Sequence, residues 1–323
     1  MQDFIDPKDL LLKKIRARGG FVNAHAHIDR AYILNKTNYK LTSATLQQKW
    51  DFPDQYKAKA SVGDIYSNMA RVVESMCAQG VQAIGSFIDV DPVVKDKAIL
   101  ASQKLRDNFK KDIKIVFINQ VVKGVIEPEA KRWFEIGAQY ADIIGGLLEK
   151  DKGREAEHLD ILFQTAKKNG KKLLHVHVDQ FNSPRQRDTE LLVKKTLEHG
   201  YEGKVTAIHC LSVAAQPKAY RQKLYKQMKK ADIKVVACPV AWIDSPRSEV
   251  LAPSHNAVTP VDEMVAAGLS VGLGTDNISD IYKPFNDGDM WTELHFLLEA
   301  CHIYDIDTLS DIASVNGLKT LGL

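Results

Sequence analysis

Short apolar runs recur along the chain at strand length, separated by longer stretches with helical spacing. The runs are Phe21–Ile28, Val81–Val90, Lys114–Val121, Ala141–Leu148, Lys172–Asp179, Val205–Leu211, Lys234–Ala241 and Ser270–Asn277. Several are nearly continuous in Val, Ile, Leu and Ala, the pattern of strands covered on both faces rather than half-exposed. Val93–Lys110, Leu159–Asn169, Leu191–His199 and Pro260–Ala267 read as helices, the last three closed by Gly170, Gly200 and Gly268 as C-caps. Eight strands alternating with helices leave two architectures, a closed (β/α)8 barrel or an open doubly wound sheet. No Gly-x-Gly-x-x-Gly turn follows the first strand, as the open dinucleotide-binding sheet would require. The expected fold is therefore α/β, a (β/α)8 TIM barrel. No repeat or linker-like tract divides residues 1–323, so a single unit is expected.

Composition narrows the partners. Lys and Arg number 44 against 41 Asp and Glu, and a net charge of +3 argues against nucleic acid as the main partner. The lysine-rich run Lys223–Lys230 reads as a solvated helix face. No apolar stretch approaches the roughly 18 residues of a membrane span. The acidic start of the chain does not read as a secretory signal. Cys77, Cys210, Cys238 and Cys301 are scattered, which fits a reducing compartment, and a cytoplasmic protein is expected.

The histidines carry the chemistry. His25 and His27 stand two apart at the end of the first strand, so their side chains leave the same face. Imidazoles converging there suit a metal better than a core. His175 and His177 repeat the spacing on the fifth strand. His177, nearer the carboxyl end, is the candidate ligand, and His175, one layer deeper, reads as a supporting or core residue. His209 ends the sixth strand. Asp276 ends the eighth, in Gly272-Leu273-Gly274-Thr275-Asp276, where glycines let backbone and metal come close. Strands one, five, six and eight thus send metal-type side chains to the C-terminal rim, where barrel active sites lie. Long connections after strands one, seven and eight add Tyr32, Trp50, Tyr56, Trp242, Tyr282, Phe285 and Trp291. These aromatics either cap the barrel or close over a flat ligand. His255, in the second of these connections, is a weaker candidate for touching substrate. His158, His199, His295 and His302 fall in helical stretches and read as surface or packing residues. Cys210 faces away from His209 and reads as packing.

With these residues in place, the sequence resembles the amidohydrolase superfamily, in the branch of cytosine deaminase and N-isopropylammelide isopropyl amidohydrolase. The likeness rests on Gly20-Phe21-Val22-Asn23-Ala24-His25-Ala26-His27-Ile28-Asp29-Arg30, on His175-Val176-His177-Val178-Asp179-Gln180, and on Asp276-Asn277-Ile278-Ser279-Asp280 continuing to Met290. The resemblance implies one divalent ion, Zn2+ or Fe2+, held at His25, His27, His177 and Asp276. It implies a metal-activated hydroxide attacking a carbon bonded to nitrogen, with His209 polarising water or the developing anion and Asp276 shuttling a proton. Gln120, Gln180, Asn277 and Tyr282 are the candidate substrate contacts, Gln120 being equally a polar residue that closes a strand.

Two departures from the branch matter. Where cytosine deaminases place a proton-transferring Glu after the fifth-strand ligand, this chain has Gln180, which can hydrogen-bond but not exchange a proton. Where they place a second Asp, this chain has Asn277, as the isopropylammelide enzyme does. Cytosine itself is therefore a poor fit, and a substituted pyrimidine, triazine or other cyclic amidine a better one. The usual flanking β-sandwich is expected to be missing, and the face it would cover to be buried in a homo-oligomer. Binuclear relatives need a carboxylated lysine on strand four; Lys150 lies just past that strand and reads as solvated, which favours one metal. The partner is a small heterocycle. Alternatives are a metal-dependent hydrolase of a lactam, lactone or phosphoester, and a non-catalytic relative that binds a ligand.

Overall fold

A computed structural model describes residues 5–44, 49, 52–120, 122–170, 172–243 and 256–323. His255, Trp50, and Val121 at the end of the expected third strand lie outside the described residues. The eight apolar runs become eight parallel strands: β1 (Phe21–Ala26), β2 (Val81–Asp89), β3 (Lys114–Gln120), β4 (Ile143–Leu147), β5 (Leu174–Val178), β6 (Val205–His209), β7 (Lys234–Ala237) and β8 (Val271–Leu273). Each pairs with the next in chain order, and Ala26 bridges Asp276 across the remaining gap. The fold is a (β/α)8 barrel with no separate sandwich domain among the described residues. No described helix is long and apolar enough to cross a membrane.

Two sets of inward side chains fill the ring. Val22, Ala83, Phe87, Val116, Ile118 and Ile143 pack with Leu321, which enters from the C-terminal helix Asn316–Leu321. Ala24, Ile208, Val236, Cys238 and Ala241 form the second set. The outer faces of the strands pack against the surrounding helices, so apolar residues were needed on both sides.

Differences from the expected boundaries have local causes. The helix after β2 begins at Lys97 rather than Val93, because the Asp91 carboxylate accepts from the amides of Val93 and Val94 and holds a turn there. β8 ends at Leu273, four residues early, because the amides of Thr275 and Asp276 both turn to the His25 carbonyl, each at 3.0 Å. A side chain on Gly274 would place its Cβ 2.8 Å from the His25 Cβ and 2.9 Å from the His25 carbonyl. The glycine thus serves the approach of one backbone to another where the ring closes. The helix Asp188–His199 does end at Gly200, in the left-handed conformation with φ 60°.

Candidate metal centre and the cavity beside it

His25, His27, His177, His209 and Asp276 meet at the C-terminal mouth. From His25 the ring centroids of His27, His177 and His209 lie 5.0, 4.9 and 5.5 Å away. Asp276 brings Oδ1 to 3.5 Å from His25 Nε2 and 3.3 Å from His27 Nε2. Donor atoms of His25, His27 and His177 lie within 4.8 Å of one another, and so do those of His25, His209 and Asp276. His175 is elsewhere: its Nε2 meets the Thr320 carbonyl at 2.8 Å, toward the C-terminal helix. Phe87 packs beneath the group, 5.0 Å from His25 and 4.7 Å from His177.

Backbone strain is concentrated at this rim. Ile208 belongs to the barrel interior, so alternation would turn His209 outward. Left-handed backbone at His209 (φ 76°) and Cys210 (φ 56°) brings the imidazole back over the mouth. Asp276 (φ 59°) and Asp179 (φ 54°) are left-handed too. Such conformations cost on the order of 1–3 kcal/mol each in non-glycine residues and gather where function requires a fixed geometry. Asn23 helps to hold the last strand's exit: its amide donates to Thr275 Oγ1 at 2.9 Å and its Oδ1 accepts from the Thr275 amide at 3.2 Å.

Protonation states suit a cation. Burial lowers His25 and His209 to about 4, lowers His27 with help from Arg30, and takes His177 well below the usual imidazole value, with His25 adding to it. Burial alone would raise Asp276, but the facing nitrogens of His25 and His27 hold it well below the usual carboxylate range. At neutral pH the site offers neutral imidazoles and one carboxylate, the forms that ligate metal. Both nitrogens of His25, and Nδ1 of His27 and of His209, are buried with no hydrogen-bond partner. An orphaned buried polar atom costs about 1–3 kcal/mol, and a divalent ion would remove that cost at each nitrogen whose lone pair it takes, one for each neutral imidazole. His177 Nδ1 meets the Gly146 carbonyl at 3.0 Å, which assigns its proton there and leaves Nε2 as the donor to an ion. The residues fit a metal site with nitrogen and oxygen donors.

A cavity of about 60 Å³ opens beside it, lined among others by His27, His177, Asp276, Gln120, Gln180 and Asn277, with Tyr282 and Arg30. A water needs about 10–15 Å³, so the space is large enough for several waters. All four expected substrate contacts therefore face one space. Arg30 was missed, although it stands three residues beyond His27 on the strand-one motif. Its Nη1 donates to both Asp89 oxygens, at 3.1 and 2.9 Å, and Asp89 also holds Lys57 at 3.2 Å.

The remaining expectations sort clearly. Cys210 is buried, accepts from Thr189 Oγ1 at 3.6 Å, and burial pushes its thiol up, against any nucleophilic part. His158 pairs with Asp151 at 2.6 Å, and His199 pairs with Asp160 and stacks on Phe163. His302 is not helical; it caps the helix Met290–Cys301 with φ 51°. Lys150 is not solvated as expected but half-buried, and burial with Lys123 nearby lowers its ammonium to about 7.

The sequence profile of the Amidohydrolase family matches residues 19–323. The chain belongs to the amidohydrolase family. An uncharacterized protein of Haemophilus influenzae is 49% identical over 262 residues, 80% of this chain and 95% of that one. The N-isopropylammelide isopropyl amidohydrolase of Pseudomonas sp. strain ADP is 27% identical over 308 residues, 90% of this amidohydrolase and 69% of that enzyme. The barrel superposes on the Klebsiella pneumoniae 5-methylcytosine deaminase liganded with 5-fluorocytosine with a TM-score of 0.86, at 23% identity, over 94% of this chain and 74% of that one, a likeness of fold.

Proposed function

We propose that this amidohydrolase is a metal-dependent hydrolase that replaces a nitrogen substituent of a cyclic amidine, a pyrimidine- or triazine-like ring, with oxygen. The observation that carries the reading is His25, buried with both ring nitrogens unpartnered among His27, His177, His209 and Asp276. His25, His27, His177 and Asp276 would hold one Zn2+ or Fe2+, since both accept nitrogen and oxygen donors of this kind. When bound, such an ion lowers the pKa of water from about 15.7 toward about 7, which supplies a nucleophile at neutral pH.

The chain's own residues account for the rest. Asp276, ionised at neutral pH, takes a proton from the attacking water and returns it to the departing nitrogen as the carbon–nitrogen bond breaks. His209, neutral and fixed by its strained backbone, donates toward the charge that develops at the attacked carbon. Gln120, Gln180 and Asn277 orient the ring by hydrogen bonds, and Tyr282 covers it. Gln180 cannot protonate a ring nitrogen, so the ring must activate its own leaving group. That favours electron-poor rings, and the sequence likeness to an enzyme named for isopropylammelide supports the same direction. Elemental analysis of the purified protein, followed by an ammonia- and amine-release screen over aminopyrimidines and aminotriazines, tests the reading. A stoichiometric metal with release from at least one ring is expected. Absence of metal, or metal without release across the panel, would refute it.

A further inference from the structure

The strands of a parallel barrel all begin at one end, so the residues that open them share a face opposite the metal centre. Lys114 opens β3 and Lys234 opens β7, Lys204 stands immediately before β6, and Lys172 stands two residues before β5. A groove of about 620 Å³ lies at this end, lined by the starts of β3, β4 and β5 and by the last residues of the chain. Ile115, Leu173 and Leu321 give it an apolar lining, and Arg106, Lys110, Lys114 and Lys172 give it a cationic one. Against these cations stand at most the carboxylates of Asp142 and of the terminal Leu323. Asp142 is already engaged, since it pairs with the Arg106 guanidinium and accepts from the Phe117 amide at 2.8 Å. Lys172 donates to the Ala138 carbonyl at 2.8 Å, a neutral acceptor that leaves its charge uncompensated. Lys110 and Lys114 are exposed and make no ion pair among the described residues.

An apolar trough edged by uncompensated cations is complementary to an aliphatic chain that ends in an anion. Each methylene taken out of water contributes up to about 4-fold in affinity, and a headgroup among several cations adds an attraction that salt screens. A second copy of the chain is a poor occupant, because a two-fold contact would set this face against itself, cation against cation. The volume also lies within the range of about 300–1,000 Å³ of small-molecule sites. We propose that the groove at the N-terminal end of the barrel binds a single-chain amphipathic anion, an alkyl carboxylate. Its headgroup sits among Arg106, Lys110 and Lys114, and its tail lies over Leu173 and Leu321. The site is separate from the metal centre and does not depend on the hydrolase reading.

Calorimetric titration of the metal-loaded protein with acetate, hexanoate, octanoate and decanoate, each below its micelle concentration, tests the proposal. Affinity should rise about 2- to 4-fold with each added methylene. Raising the salt from about 20 to about 200 mM should weaken decanoate several-fold. Lys110→Glu/Lys114→Glu changes two exposed positions and should weaken decanoate at least about 10-fold, with metal content and melting temperature unchanged. Leu173→Ser should flatten the dependence on chain length. Acetate sets the background, because a carboxylate can also reach a metal. Binding that does not grow with chain length, or that survives the charge reversal undiminished, overturns the proposal, and so does the absence of decanoate binding up to about 1 mM. Sedimentation of the wild type and of the charge-reversed variant covers the other occupant. A wild-type dimer that the reversal abolishes would assign the groove to a second copy and overturn the proposal as well.

Discussion

Replacing His25 with leucine should stabilise the protein without metal and cripple it with metal. At neutral pH the imidazole is uncharged, with one N–H and one lone pair, and neither finds a partner. Two orphaned atoms at about 1–3 kcal/mol each make about 2–6 kcal/mol available on removal. Leucine is close to imidazole in bulk, and an imperfect swap of that kind costs up to about 1.5 kcal/mol. Asp276 keeps His27 at 3.3 Å, so losing the 3.5 Å approach of His25 subtracts little. The net expectation is a gain of about 0.5–6 kcal/mol. For 323 residues the unfolding entropy is about 0.7 kcal/mol per °C, so Tm in a chelator should rise by about 1–9 °C. With metal at 100 times its Kd the wild type should gain about 2.7 kcal/mol, about 4 °C, and the variant nothing. Thermal melts of both proteins, chelated and metal-loaded, give the four numbers required. If His25→Leu melts lower than wild type in chelator, as an ordinary core substitution would, His25 is a packing residue and the metal argument fails.

Three further outcomes are expected. His177→Ala should lose bound metal by elemental analysis, whereas His209→Asn should retain it and lose turnover by about 100- to 1,000-fold, the worth of one donor aimed at developing charge; near-full activity in His209→Asn would remove its assigned part. Gly274→Ala should force β8 away from β1 at His25, lowering stability by about 1–3 kcal/mol and metal content with it; an unchanged melt and metal content would mean the contact relaxes freely. Because burial depresses His25 and His209 to about 4, protons compete for these ligands only well below the ordinary imidazole value near 6.5. Metal should therefore survive dialysis at pH 5.5 and be lost as pH falls toward 4, and release centred near 6.5 would show that the imidazoles are not desolvated.

The linear pattern of this chain determined its barrel. Strands buried on both faces leave long apolar runs, and β1 to β8 each fall within a run visible in the sequence. Period-two spacing on strands one and five also put His27 beside His25 and His177 above His175, because alternation is a property of the strand itself. Where the backbone leaves the regular strand, that logic stops. His209 faces the mouth through a left-handed residue, and Asp276 reaches it only because the eighth strand unravels onto the His25 carbonyl. Arg30 gave no signal as a charged residue on a short turn, since a cation next to a motif is ordinarily solvated. Its meaning came from Asp89, 59 residues away in the chain, which neutralises one edge of the guanidinium and turns it into a buried part of the cavity. Local periodicity is written along the chain, but compensation of a buried charge depends on which distant group folds against it, and that only the closed barrel decides.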